Sequence, residues 1–275
     1  MKQLNITQKE YRDIEAISNS ELLTIERNPS DFIWAKNAPV DSTKTAALDF
    51  GTMLHTALLE PEQFNKDLVI YDQTKSRETV KFNAFMQDVG ENAIVLLESE
   101  YDKIRLMIDS AKAHPTFSYY LSQFDSFESS IVGEFAGVQV KIRPDCKNDK
   151  LALIGDLKST ADLSAWREAM TWKNPLFTYN YGHTAAFYME VYSKFLGKQV
   201  NEYHFLVCQK NISMGRYPVD VISITREECE RYGFIERVYT NLEEYQHRVK
   251  TNDWLNVSRF PSFKVDESIT IEFED

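Results

Sequence analysis

Val138-Gln139-Val140-Lys141-Ile142-Arg143-Pro144-Asp145 and Leu151-Ala152-Leu153-Ile154-Gly155-Asp156-Leu157-Lys158 are two short strand-like runs, each with an aspartate at or near its end. Strand side chains alternate between faces, so Asp156 and Lys158 emerge on the same side. If Lys147-Asn148-Asp149-Lys150 turns the chain back, Asp145 and Asp156 converge. Two carboxylates beside a lysine suit a hard divalent cation and chemistry on a phosphodiester. A solvated hairpin end explains the same acids more simply, and Asp-x-Lys arises by chance in many chains. The spacing alone leaves both readings open.

Composition narrows the classes. The chain has 275 residues and is 43% hydrophobic, enough for a substantial core in one large domain or two small ones. No apolar run is long enough to span a bilayer. No apolar h-region follows Met1-Lys2-Gln3-Leu4-Asn5-Ile6, so no signal peptide is expected. Cys146, Cys208 and Cys229 are odd in number and scattered, which supports neither a disulfide framework nor a four-cysteine metal cluster. A reducing, cytoplasmic compartment is the natural expectation. The net charge of −11 argues against a surface coated in basic residues, but a cleft can be basic inside an acidic shell.

No internal repeat or low-complexity tract interrupts the chain. Ser18-Asn19-Ser20-Glu21 is a capping-box pattern that predicts a helix to about Arg27, stopped at Asn28-Pro29. A second helix is expected over 45–59, with Pro61 just beyond its end. Residues 62–80 read as irregular, apart from a strand at 68–71. Helices follow over 81–90 and 98–114, with Pro115 as a stop. Strands are expected over 127–135, 138–145 and 151–158, then a short helix over 164–170. A long helix over 177–196 is closed by Gly197. Strands over 202–209 and 217–224 precede a final helix over 226–248, and the acidic end frays. The pattern is α/β (α+β), a small central mixed sheet flanked by helices in a single domain spanning 1–275. It divides into an N-terminal helical part over 17–115, a catalytic sheet with helices over 127–250, and an acidic tail over 265–275.

Three further places carry chemistry-bearing side chains. His55 lies in Phe50-Gly51-Thr52-Met53-Leu54-His55-Thr56-Ala57-Leu58-Leu59 and shares a helical face with Leu48, Thr52 and Leu59. A lone histidine there is more often a satisfied core residue than a ligand. Glu128 begins a strand and by itself reads as a surface residue. Tyr181, His183, Thr184 and Tyr188 sit on one helix and by themselves read as packing.

Taken in order, these pieces resemble a known pattern: Ile-Ser-Asn-Ser at 17–20, Phe-Gly-Thr…His at 50–55, Glu128, Arg-Pro-Asp at 143–145, Asp-Leu-Lys at 156–158, and Ala-Ala-Phe-Tyr at 185–188. The chain resembles the PD-(D/E)XK nuclease superfamily, and within it the phage-type exodeoxyribonuclease VIII group, the RecE C-terminal nuclease domain. The similarity runs from about Ile17 to Trp254. It implies that His55, Asp145, Asp156 and the Leu157 backbone carbonyl hold Mg²⁺ or Mn²⁺. It implies that Lys158 orients or activates the attacking water and stabilises phosphate charge, and that Glu128 acts in the outer shell or on a second metal. Arg143, Tyr181, His183, Thr184 and Tyr188 become candidate substrate contacts. Relatives usually carry glutamine where Thr184 stands, so either His183 substitutes for it or activity is reduced.

The implied activity is metal-dependent exonuclease digestion of linear double-stranded DNA, 5′ to 3′, leaving single strands for phage-type recombination. Duplex ends, a RecT-like annealing protein and a homo-oligomeric ring are the implied partners and assembly. An endonuclease of the same fold is the alternative, as is a catalytically reduced module that binds DNA or protein.

Overall fold

In the computed structural model, which describes residues 1–39, 50–90, 93–168 and 173–256, the chain forms thirteen helices and ten strands among those residues. The strands are β1 (Lys2–Leu4), β2 (Leu68–Tyr71), β3 (Ile94–Leu97), β4 (Ser126–Phe127), β5 (Ser130–Phe135), β6 (Val138–Ile142), β7 (Cys146–Asn148), β8 (Leu153–Thr160), β9 (Glu202–Gln209) and β10 (Val219–Thr225). The helices are α1 (Gln8–Asp13), α2 (Asn19–Arg27), α3 (Pro29–Asn37), α4 (Phe50–Leu59), α5 (Pro61–Asp67), α6 (Val80–Asp88), α7 (Glu98–Ala113), α8 (Pro115–Gln123), α9 (Ser164–Arg167), α10 (Pro175–Thr178), α11 (Tyr181–Leu196), α12 (Arg226–Arg231) and α13 (Phe234–Thr251).

The central sheet has the order β10-β9-β8-β7-β4. It is mixed: β8 and β9 run parallel, with Asp156 opposite Phe205, and the other pairs are antiparallel. The parallel step needs a crossover, which α9, α10 and α11 supply. A separate three-stranded sheet, β1-β5-β6, stands beside it, and β2 pairs with β3.

Residues of β8 and β9 alternate between two apolar clusters. Ile154, Tyr203, Phe205 and Val207 pack with Ala185, Ala186 and Met189 of α11 and with Val238 and Leu242 of α13. Leu157, Leu206 and Cys208 pack with Leu54 and Leu58 of α4 and with Phe117 of α8. A sheet buried on both faces explains the near-continuous apolar runs of these strands. No helix among the described residues is long and apolar enough to cross a membrane.

Several boundaries differ from the sequence reading. The strand expected over 138–145 ends at Ile142 as β6, and a separate strand of another sheet, β7, begins at Cys146 and runs into the expected turn. The reversal falls at 149–152 rather than 147–150. Asn148 Oδ1 accepts the N–H groups of Lys150 and Leu151, both at 3.1 Å, and Ala152 takes a left-handed φ of 54°. α4 ends at Leu59 and α7 at Ala113, just before Pro61 and Pro115 as expected, but each proline also opens a further helix, α5 or α8, because proline fits the first helical turn, where its missing N–H is not needed. The region over 62–80 therefore contains most of α5 as well as β2. The helix expected over 177–196 is interrupted at Asn180, φ 57°, and the final helix at Gly233, φ 72°. Both residue types tolerate the left-handed region. The sequence reading missed β1, α1, α3, α5, β3, α8 and β7. The Ser18–Glu21 capping box, the strand over 202–209 and the left-handed Gly197 closing α11 are as expected. Residues 45–49, 169–170 and the acidic tail lie outside the described residues.

Candidate active site

β8 carries Asp156 and Lys158 out on the α11 face of the sheet, where they line up with Phe205 and Val207 of β9. Asp156 is buried and its carboxylate contacts the Lys158 ammonium. Asp145 stands in the link between β6 and β7. Its Oδ2 accepts the Leu157 backbone N–H at 2.7 Å and lies 3.4 Å from His55 Nδ1 on α4. The His55 ring also hydrogen-bonds the Leu157 carbonyl. The reversal expected from the sequence thus does bring the two aspartates together, although the turn lies elsewhere.

Glu128 is not an ordinary strand residue. It sits in the break between β4 and β5 with φ 50°, a costly conformation for a non-glycine residue. Its N–H donates to the Asp145 carbonyl at 3.0 Å, and its Oε2 accepts from Arg143 Nε at 2.9 Å. One donor atom from each of His55, Glu128 and Asp145 lies within 4.8 Å of the other two. Glu128, expected in the outer shell or on a second metal, stands with His55 and Asp145. Asp156 joins the group through its hydrogen bond to Asp145.

The electrostatics follow from burial and proximity. Burial, then the Asp156 charge, push the Asp145 carboxyl well above the usual range. Burial works against Asp156 too, but Lys158 and the hydrogen bond from Asp145 outweigh it and hold Asp156 low. The pair holds one negative charge where two acids stand. Burial raises Glu128 despite Arg143, and it lowers His55, which therefore stays neutral and free to ligate. For Lys158, burial is outweighed by Asp156 and Asp145, so its pKa rises and the ammonium stays charged.

These residues fit a divalent cation. The donors are a neutral imidazole, carboxylates and a carbonyl, the mixture that suits Mg²⁺ or Mn²⁺. Among the described residues Asp156 Oδ2 is buried with no partner besides the Lys158 ammonium, and a cation would relieve the crowding of Asp145 against Asp156.

The site opens into a cavity of about 1040 Å³ lined by His55, Glu128, Arg143, Asp145, Lys158, Tyr181 and Tyr188 among others. Tyr181 lies under the Lys158 ammonium, 5.1 Å from ring centroid to Nζ. The Tyr188 hydroxyl takes the Arg143 backbone N–H. Arg143 is committed elsewhere as well: it donates to the Ile6 carbonyl at 2.9 Å and to Ser130 Oγ at 2.8 Å. It acts as a clamp on Glu128 and on the N-terminal arm.

His183 does not reach the cavity, and its expected substrate contact is corrected. It is fully buried, with Nδ1 2.8 Å from Asn19 Oδ1 and Nε2 3.1 Å from Asn241 Nδ2. Helical geometry turns it off the stripe of Tyr181 and Tyr188, which recur at the three- and four-residue spacing that includes Thr184. Thr184 itself is indirect: its Oγ1 accepts from Asn19 Nδ2 at 2.9 Å, and Asn19 lines the cavity. Asn19, Tyr11, Arg12 and Lys141 also line the cavity and were missed as site residues. Asn19 belongs to the capping box and to the Ile-Ser-Asn-Ser motif but was given no site role. Lys141 is buried, with Nζ donating to the carbonyls of Arg12 and Ile14.

The comparisons bear on the fold and the family. A crystal structure of a candidate exonuclease from Eubacterium rectale superposes with a TM-score of 0.60 at 14% identity, covering 97% of this chain and 100% of that one. That likeness is one of fold. No curated protein matches the chain. Residues 18–256 match the family described as a PDDEXK-like domain of unknown function, and the chain belongs to that family, within the PD-(D/E)XK superfamily.

Proposed function

We propose that the chain is a divalent-metal-dependent nuclease that digests linear double-stranded DNA from an end, 5′ to 3′. The observation that carries this reading is the meeting of His55, Glu128 and Asp145 in one open cavity that Lys158 also lines, with Asp156 buried behind them against Lys158. A cation held there supplies Lewis acidity at a phosphoryl oxygen and acidifies a water. Lys158, kept charged, offsets negative charge on the phosphate rather than taking a proton. Arg143 fixes Glu128, the Leu157 N–H fixes Asp145, and Tyr181 and Tyr188 form the wall against which substrate is placed.

The same reading extends to a cytoplasmic setting, a homo-oligomeric ring that keeps DNA threaded, and delivery of the single strand to a RecT-like annealing protein. The test is incubation of linear and closed circular duplex DNA with the protein in Mg²⁺, Mn²⁺ or EDTA. Loss of the linear form alone, only with metal, is expected. Cutting of closed circles identifies an endonuclease of the same fold. Binding without cleavage under every condition identifies a catalytically reduced module.

A further inference from the structure

β9 and β10 are joined by a tight hairpin. Gln209 N–H donates to the Pro218 carbonyl at 2.8 Å, and Ser213 and Arg216 exchange backbone bonds at 2.8 and 3.0 Å. The two residues between them, Met214 and Gly215, have φ of 48° and 74°, the signature of a type I′ turn. Asparagine, aspartate and glycine suit the first central position of such a turn, and a long apolar side chain is strained there. Met214 is 95% exposed and Ile212 60%, so packing offsets none of that strain. A strained backbone presenting apolar side chains to solvent points to use in binding rather than to folding.

The base of this hairpin is tied to the strand that carries Lys158. Lys210 N–H donates to the Thr160 carbonyl at 2.7 Å, and Asn211 Nδ2 donates to the Ala161 carbonyl at 3.0 Å. Two strand steps from Lys158 to Thr160 and four from Lys210 to Met214, at ~3.3 Å each, put the tip within roughly 20 Å of Lys158. That distance is about six nucleotides of one DNA strand. Lys210 and Arg216 flank the tip, and neither has an ion-pair partner among the described residues. On a chain of net charge −11, two unpaired cations around two exposed apolar side chains match a polyanion that also offers apolar faces. A second copy of this acidic chain matches that charge less well.

We propose that the β9–β10 hairpin grips DNA beside the candidate active site. Lys210 and Arg216 take backbone phosphates, and Met214 with Ile212 presses against the bases where the strands of a duplex end part. The proposal rests on the nuclease reading above for its substrate.

The test uses the full chain and a labelled duplex end, with a single strand of the same length, in EDTA so that binding is read without cleavage. Met214→Asn places an Asn-Gly pair in the turn, so its melting temperature is expected to hold or rise. Combined with Ile212→Ser, it is expected to weaken duplex-end binding at least ~5-fold and single-strand binding less. Lys210→Glu with Arg216→Glu is expected to weaken both and to lower the salt slope by about 1–2. Variants that bind duplex ends within twofold of the wild type overturn the proposal. Unchanged binding with a shift to smaller assemblies by light scattering also overturns it, and marks the tip as a contact between copies. If the wild type cuts DNA while the variants bind normally, the hairpin proposal fails alone. If the wild type binds duplex ends through the hairpin and cuts nothing with Mg²⁺ or Mn²⁺, the nuclease reading fails alone.

Discussion

His55 Nδ1 stands 3.4 Å from Asp145 Oδ2, joining the middle of α4 to the link between two sheets. Neither residue is placed by its own element: the contact exists because α4 packs Leu54 and Leu58 against Leu157 and Leu206 of the central sheet. The helix face that buries these leucines is therefore what delivers the histidine.

Asp145→Asn is expected to separate folding from metal binding. In the metal-free protein Asp145 is held protonated against Asp156, so an amide of the same shape removes no charge there and can donate the same hydrogen bond. Metal-free thermal stability is expected to hold, while the stabilisation given by added Mn²⁺ disappears and DNA cleavage stops. An undiminished Mn²⁺-induced shift in the melting temperature refutes Asp145 as a ligand.

Lys158→Ala is expected to lower turnover on duplex DNA by ~10²–10³-fold, the scale of losing one placed electrostatic group. Binding to a DNA end in EDTA is expected to change little, since other cations line the cavity. Single-turnover rates and anisotropy titrations on the same variant distinguish these effects. Collapsed affinity with normal turnover at saturation makes Lys158 a binding residue only.

Acid stability is expected to follow the buried histidines. Burial pulls His183 and His204 down to about 4 from an ordinary 6.5. On acidification the unfolded chain takes these protons first, so stability is full above about pH 6.5 and falls as the pH drops towards 4. Each histidine contributes a slope of about 1.4 kcal/mol per pH unit, or roughly 3 kcal/mol across the window. Urea denaturation of wild type and His183→Gln at pH 7.5, 6 and 5 reads this directly. The stability difference between the two proteins is expected to narrow as pH falls, and a constant difference argues that His183 is not held neutral.

Tyr203→Phe is expected to be neutral or stabilising in the metal-free protein. The Tyr203 hydroxyl is buried with no hydrogen-bond partner among the described residues, so deleting it removes a desolvated polar group at a gain of up to about 1–2 kcal/mol. A loss of more than about 1 kcal/mol by chemical denaturation shows that a buried water satisfies the hydroxyl.

The local parts of this protein were legible in its sequence. The capping box at Ser18–Glu21, the strand Glu202–Gln209, the stop at Gly197 and the shared face of Asp156 and Lys158 follow from short-range rules: a cap satisfies a helix end, and side chains alternate along a strand. The helix ends before Pro61 and Pro115 were legible, but not the new helices that these prolines open, because whether a helix follows a proline depends on the chain beyond it. The assignment of β6 and β7 to different sheets, the left-handed Glu128 and the diversion of His183 to Asn19 and Asn241 were not legible, since each depends on a partner distant in the chain. The type and order of the acids, the histidine and the lysine were determined by the sequence alone. Their meeting was decided by the tertiary structure, because only burial of α4 and the sheet against a common core carries His55, Glu128 and Asp145 within 4.8 Å of one another.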